Sequence, residues 1–405
     1  MVDIKDEASE CLNCFNAMCM NACPLHVRIP EINKLVKEGK LDYAFDVAFH
    51  DNPLGAICGI VCPHEKQCEG ACIKGIKSSS IKIGTIEEYL WNWKLSKKEE
   101  KKDKNKNKES SNIKVAVIGG GPAGIACASY LLRNGIDVTI YEKEKFLGGI
   151  LAYGIPDFRL DTKLVKKNIK FALSYGAKGK LDVKYKHLLV AKGVKERGYK
   201  LITMDELQKE FDYVFVAIGL DSSKSLGLTN DNNKDFVINA HSFLKDSYDV
   251  NNKRIVVIGG GNVAIDSARK AKKCGADVTI IYRRRLEDMP ANKKEIEDAT
   301  TEGVKFIFTT KVVDIKKEED LVLTLDSGDT FNTDYLIEAI GSEVNKNYFD
   351  ENIEFTESNY VKVDDYFKIP GKNIFIGGDL ISSNKTVASA VNTGKVVASK
   401  IIEQE

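Results

Sequence analysis

Eight of the chain's ten cysteines fall within the first 72 residues, in two tight groups. The first is Cys11-x2-Cys14-x4-Cys19-x3-Cys23, followed by Pro24. The second is Cys58-x3-Cys62-x5-Cys68-x3-Cys72, with Pro63 after Cys62. Spacings this short let a turn of backbone aim several thiolates at one point, as an iron–sulfur cluster requires. The simplest assignment is one four-cysteine cluster per group. The bacterial ferredoxin pattern warns against it, because there the cysteine before proline serves the other cluster. Two zinc sites of four thiolates each are the main metal alternative; they would stabilise a fold but carry no electrons.

Two glycine-rich stretches follow. Gly119-x-Gly121-x-x-Gly124 lies in VAVIGGGPAGIACASYL, between a strand pattern and a helix pattern. The first glycine permits a tight turn, the second lets a pyrophosphate approach the backbone, and the third lets the helix pack on the strand. Glu142 ends the next strand, 18 residues beyond Gly124. Its carboxylate suits a ribose diol and repels a 2′-phosphate. In the second stretch, Gly259-x-Gly261-x-x-Ala264, the following strand ends in Tyr282-Arg283-Arg284-Arg285. Arginine forks match a phosphate, so this site is expected to prefer NADPH to NADH; the alternative is that the arginines merely face solvent. Sites of opposite polarity predict FAD at the first and NADPH at the second. With one-electron centres upstream, the chemistry implied is electron transfer from a pyridine nucleotide through a flavin.

These groups need a frame. Pro30–Glu38 and Leu41–Phe49 carry apolar residues at helical spacing, and Ile86–Leu95 predicts a third helix. Residues 94–112, KLSKKEEKKDKNKNKESSN, are almost wholly charged or polar and read as a linker; their interspersed acids argue against a nucleic-acid surface. Strand, glycine turn, helix and strand then recur, at 113–142 and again at 254–282. Strands Tyr213–Ala217 and Tyr335–Ala339 each end in Ala-Ile-Gly. The expected fold class is α/β, with an N-terminal helical iron–sulfur domain followed by two Rossmann-like nucleotide-binding domains. The expected boundaries are 1–93 for the cluster domain, 94–112 for the linker, 113–250 and 345–405 for a two-part FAD domain, and 251–344 for an NADPH domain.

Sixty basic against fifty-nine acidic residues leave a formal charge of +1, so no overall field favours nucleic acid or a membrane surface. No apolar run approaches the roughly 20 residues needed to span a bilayer. Met1–Glu10 is polar and acidic, unlike a secretory leader, and grouped cysteines without one predict a reducing, cytoplasmic setting.

Several motifs in order resemble the small (β) subunit of NADPH-dependent glutamate synthase and its relatives. These relatives include the N-terminal half of dihydropyrimidine dehydrogenase and the large subunit of NADH-dependent reduced ferredoxin:NADP oxidoreductase. The motifs are the first cysteine group with PLHVRIP, then CGIVCPHEKQCEGAC, GGILAYGIPDFRL, YRRRLEDMPA, and GGDL with KTVASAVNTGKVVA. The resemblance implies FAD contacts at Gly119, Gly121, Pro122, Ala123, Gly124, Glu142, Gly149, Ile150, Arg159 and Asp379. For NADPH it implies Gly259, Gly261, Asn262, Val263, Ala264, Arg283 and Arg284, with Gly341 near the nicotinamide half. It also implies two 4Fe-4S clusters: Cys11, Cys14, Cys19 and Glu87 on one, and Cys23, Cys62, Cys68 and Cys72 on the other, leaving Cys58 a bystander. Glu88 competes with Glu87, and Cys58 with Glu87, for the fourth position of the first cluster. Electrons would pass to a catalytic large subunit or a ferredoxin-like acceptor, since no segment remains for a substrate barrel.

The alternatives are the electron-input subunit of a dihydropyrimidine dehydrogenase or of a ferredoxin:NADP oxidoreductase, and a non-catalytic redox-sensing module. Cys127 and Cys274 lie far apart and form no CxxC pair of the thioredoxin-reductase kind. The five histidines form no acid–base or metal constellation. No catalytic side chain is expected, because the cofactors carry the chemistry. Residues 182–205 run longer than the resemblance suggests.

Overall fold

The computed structural model describes residues 3–97, 111–350, 353–382 and 384–404. Most of the expected linker, residues 98–110, lies outside them. The chain divides into two compact units. One comprises residues 1–152, 160–219 and 346–405, the other residues 153–159 and 220–345.

In the first unit the N-terminal helices include Ile29–Lys37, Leu41–Asp51, Gly55–Val61 and Ile83–Ser96. Pro30 opens the first of these, where its missing N–H costs nothing. The second and last bury Phe45, Phe49, Leu90 and Trp91 completely or nearly so. Phe45 and Phe49 meet Phe171 edge-on, at ring separations of 5.7 and 5.9 Å, so the cluster domain shares a core with the nucleotide-binding part of this unit. A polar tie reinforces the join: the Tyr130 hydroxyl donates to the carbonyls of His50 (2.7 Å) and Asp51 (2.9 Å).

The sheet of this unit is five-stranded and parallel, in the order Ile374–Ile376, Tyr213–Val216, Lys114–Ile118, Asp137–Glu142, Leu181–Tyr185. Helix Pro122–Arg133 leaves the central strand and lies against the C-terminal helix Val387–Ile402. Their backbones nearly touch where Gly394 faces the Ala123 carbonyl and the Cys127 N–H. Cys127 is fully buried at that contact and serves packing, whereas Cys274 is exposed. Within the long segment 182–205, strand His187–Leu189 pairs in parallel with Lys200–Ile202 beside the sheet's edge strand Leu181–Tyr185.

The second unit repeats the plan. Its parallel sheet runs Lys305–Phe308, Asp277–Tyr282, Arg254–Ile258, Tyr335–Glu338, Val237–Asn239. Helix Asn262–Lys273 covers one face, and an antiparallel meander, Val312–Lys317, Leu321–Leu325 and Thr330–Thr333, packs on the other. The expected boundary at residue 250 moves to 219, because Val237–Asn239 adds in parallel to Tyr335–Glu338 and Phe243 joins this unit's core. Residues 153–159 also belong here and not with the flavin domain. The cause is Arg159, whose guanidinium pairs with Asp266 at 2.7 Å and Glu295 at 3.3 Å, while Phe158 lies under Arg269 and Lys273.

Candidate redox and nucleotide sites

The cysteines line two separate cavities in the first unit. The outer one is walled by Cys11, Cys14, Cys19 and Cys72. The inner one is walled by Cys23, Cys58, Cys62, Cys68 and Glu87. The crossing of Cys23 to the second group's cavity matches the ferredoxin logic. Two expectations change: Cys72 stands with the first group, and Glu87 stands with Cys23, Cys62 and Cys68. The reason lies in the helix packing. Gly55 and Gly59 put the Gly55–Val61 helix backbone against Ile83–Ser96, so that a side chain at Gly59 would meet Gly84 O at 2.8 Å and Glu88 N at 2.9 Å. Glu87 is thereby delivered beside Cys58 and Cys62, while Glu88 lies along the helix junction. Cys72, on the loop leaving the second group, falls by Cys19.

The donors burden one another. Burial, with the thiolates of Cys11 and Cys72 nearby, lifts Cys19 to about 11. Burial lifts Cys23 to about 11 as well, with Glu87 and Cys58 adding to the shift. Cys68 is pushed up by burial and then by Glu87 and Cys23. Glu87, wholly buried, rises to about 8, relieved only by its hydrogen bond from Asn52. Acidic donors crowded in a low-dielectric pocket call for a cationic core, which inverts these penalties. Asn33, 1% exposed, lines both cavities, and its Nδ2 finds no hydrogen-bond partner among the described residues. The residues therefore fit an iron–sulfur occupant. Among the described residues no three His, Cys, Asp or Glu side chains converge as ligands of one bare ion.

At the first fingerprint, Gly119 takes φ +101° and turns the chain under the Ala217 carbonyl, where a side chain would sit 2.5 Å from oxygen. Gly121 faces open space. Pro122, Ala123 and Gly124 form the first turn of the following helix. Glu142 accepts from Gly120 N at 2.7 Å and from Glu144 N at 2.8 Å, which fixes both carboxylate oxygens at the fingerprint. Burial raises its pKa. The Gly148 N–H donates to the Gly120 carbonyl at 2.7 Å, folding Gly149 over Gly121, with Ile150 exposed beside it. Gly378 packs on Ala123 and brings Asp379 to the same place; burial lifts that acid to about 6. Arg159, the remaining residue of the expected flavin set, belongs to the second unit, where it pairs with Asp266 and Glu295.

At the second fingerprint Gly259 repeats the turn under the Ala339 carbonyl, and Gly261 is open. Asn262 Oδ1 accepts from Asn292 N at 2.9 Å, Val263 packs at the core's edge, and Ala264 is buried. Tyr282 occupies the place that Glu142 holds in the first site, each 18 residues past its fingerprint's third position. Its ring crowds Gly260 where Glu142 binds Gly120 N. No carboxylate ends this strand, and Arg283 and Arg284 beyond it are exposed. Gly341, at φ +108°, is open and accepts from Lys224 N at 3.0 Å.

A duplicated three-layer nucleotide fold with a thiol-lined helical domain defines a flavin- and pyridine-nucleotide-dependent oxidoreductase. Residues 113–394 match the pyridine nucleotide-disulphide oxidoreductase family, and residues 2–99 match dihydropyrimidine dehydrogenase domain II, 4Fe-4S cluster. The chain belongs to the pyridine nucleotide-disulphide oxidoreductases, in the branch of flavin and iron–sulfur small subunits. Its cofactors are FAD, a nicotinamide nucleotide and 4Fe-4S iron–sulfur. It is 31% identical, over 98% of its length, to the NAD-dependent dihydropyrimidine dehydrogenase subunit PreT of Escherichia coli (strain K12), covering 92% of that protein. It is 28% identical to the glutamate synthase [NADPH] small chain of the same organism, covering 90% of it, and 31% identical to AegA, of which it spans 65%. Lactococcus lactis thioredoxin reductase superimposes with a TM-score of 0.57 at 19% identity, over 73% of this chain and all of that one, which shows a shared fold. Among the described residues no helix is long and apolar enough to cross a membrane.

Proposed function

We propose that this chain is the electron-input subunit of a larger enzyme, taking electrons from NADPH and delivering them singly to a partner. The observation that carries the reading is that both thiol cavities and the flavin-type fingerprint share one compact unit. Ala388, in the first turn of the C-terminal helix, lines the inner cavity, and the body of that helix packs on the fingerprint helix. Nicotinamide and flavin supply hydride chemistry, and the clusters supply one-electron steps. Glu142 and Asp379 would hold the flavin nucleotide, and Gly119–Gly124 would admit its pyrophosphate. Gly259–Ala264 would admit the second nucleotide, with Arg283 and Arg284 on its 2′-phosphate and Gly341 toward the nicotinamide. Cys11, Cys14, Cys19 and Cys72 would ligate the outer cluster, and Cys23, Cys62, Cys68 and Glu87 the inner. Leu12, Met18 and Ile73 line the outer cavity and stay exposed, with Phe15 wholly exposed nearby; this apolar rim supports an exit toward a docked subunit. A catalytic large subunit of the glutamate synthase kind fits the relatives' names, and a dihydropyrimidine dehydrogenase subunit is the second reading. A reducing cytoplasm suits such thiols.

The test is anaerobic titration of the full chain with NADPH. Flavin bleaching should be followed by the paramagnetic signals of reduced clusters; NADPH that bleaches the flavin but never reduces a cluster would make the chain a sensor or a simple flavin reductase. Arg283→Ala with Arg284→Ala should lower the NADPH-over-NADH preference about tenfold or more, on loss of charge-assisted contacts worth at least ~1.4 kcal/mol. An unchanged ratio would assign the arginines to solvent.

A further inference from the structure

The inner cavity holds more donors than a four-iron cube has vertices, with His64 at its wall beside four thiols and a carboxylate. Cys23, Cys58, Cys62, Cys68 and Glu87 all line it. Glu87 and Cys58 share a holder. Asn52, 1% exposed, donates from Nδ2 to Glu87 Oε1 at 3.1 Å, and the Cys58 thiol, hydrogen-bonded to Cys62, is a further partner of the same amide. Its Oδ1 accepts from Leu54 N at 3.0 Å, so the NH2 end is locked toward the cavity. Gly55 and Gly59 supply the closeness: a side chain at Gly55 would stand 2.7 Å from Glu87 Oε1. The buried Asn33 lines the same cavity, its Nδ2 without a hydrogen-bond partner among the described residues.

The two donors differ in what burial does to them. A carboxylate with one amide partner is costly to bury without a cation. A protonated thiol is a small apolar group that rests buried at little cost. Glu87 is therefore the member that needs the metal, and Cys58 the one that can wait. We propose that Cys58 is a reserve ligand of the inner cluster, taking the fourth vertex when Glu87 withdraws, with Asn52 positioning both. In the exchange an iron–oxygen bond to Glu87 would give way to an iron–sulfur bond to Cys58. The Cys58 thiol would give up its proton and Glu87 would leave as the neutral acid, so that no electron moves and the net charge of the site is unchanged. The vertex alternates between a hard oxygen and a soft sulfur donor. This inference rests on the cluster reading of the inner cavity.

The test uses the full chain purified without oxygen, with iron and acid-labile sulfide content and the EPR spectrum of the reduced protein as readouts. Wild type should carry iron for two clusters; a chain without iron sinks the cluster reading itself. Cys58→Ser should match wild type in both readouts. Glu87→Ala should keep its iron but show a changed inner-cluster signal, because sulfur now fills the vertex. Combining the two should lose about half the iron, with circular dichroism unchanged. The proposal is overturned if Glu87→Ala alone loses half the iron, if Cys58→Ser alone does, or if the double variant keeps it all. Should Glu87→Ala fail to fold, Glu87→Gln, a weaker oxygen donor of the same shape, should give two inner-cluster signals, one of which disappears on adding Cys58→Ser. A single signal insensitive to Cys58 overturns the proposal equally.

Discussion

Arg159 is tied to two acids of its own unit. It follows the glycine loop that closes on the first fingerprint, and the resemblance makes it a flavin contact. Its side chain lies 9% exposed between Asp266 and Glu295, and Glu295 is shared with Arg269. Asp266 is the demanding member: burial, outweighing the Arg159 cation, lifts its pKa to about 6, and its Oδ1 has no hydrogen-bond partner among the described residues. Removing one partner of a buried pair costs about 3–5 kcal/mol, because the other charge stays buried. Arg159→Met should therefore destabilise the second unit by roughly 3 kcal/mol while leaving FAD content unchanged. The pH dependence has a definite sign. Asp266 holds its proton longer when folded than at its ordinary 3.8, so stability falls as pH rises between about 4 and about 6. Without Arg159 the folded value climbs further and the loss extends above pH 6. Urea unfolding at pH 5 and pH 8 checks this. A variant that sheds FAD but unfolds like wild type would return Arg159 to the flavin.

At the scale of elements, the sequence discloses what periodicity and spacing encode and hides what depends on approach. Both fingerprints, their strands and Glu142 were legible because glycine turns and strand ends have local signatures. The partition of the cysteines was only half legible. Cys23 lines the cavity of the second group, while Cys72 lines the outer cavity and Glu87 the inner one, because their positions depend on how two helices meet. The clue lay in Gly55 and Gly59, one helical turn apart on a cysteine-bearing helix, a signature of backbone contact. Ile83–Ser96 also begins three residues before the expected Ile86, since Gly84 must reach Gly59. Arg159 and strand Val237–Asn239 were illegible for a related reason: short segments are claimed by whichever sheet or charge pair they reach. Gly59→Val would push the two helices apart, an overpacking worth roughly 1–3 kcal/mol. Glu87 would retreat from the inner cavity with its helix. The expected outcome is an altered or lost inner-cluster EPR signal with the outer signal intact. Loss of the outer signal alone would mean that Glu87 belongs to the outer site after all.

For the molecule as a whole, the division into units sets which cofactor stabilises what. The helical cluster domain joins its core to the rest of its unit: Phe45 and Phe49 pack on Phe171, Tyr130 holds the carbonyls of His50 and Asp51, and Ala388 lines the inner cavity. Thiol cavities and flavin fingerprint should therefore melt together, and the second unit, with its own sheet and core, should melt as a separate transition. A ligand that binds only the folded form adds RT ln(1 + [L]/Kd), about 2.7 kcal/mol at a hundredfold excess over Kd. NADP⁺ should raise one calorimetric transition by several degrees and leave the other in place. Removing iron with a chelator should lower the transition that NADP⁺ does not touch, and release FAD with it, because the cluster helices brace the fingerprint helix. If iron removal lowered a third transition and left FAD bound, the cluster domain would be folding alone, and the shared aromatic core would not be coupling it to the flavin site.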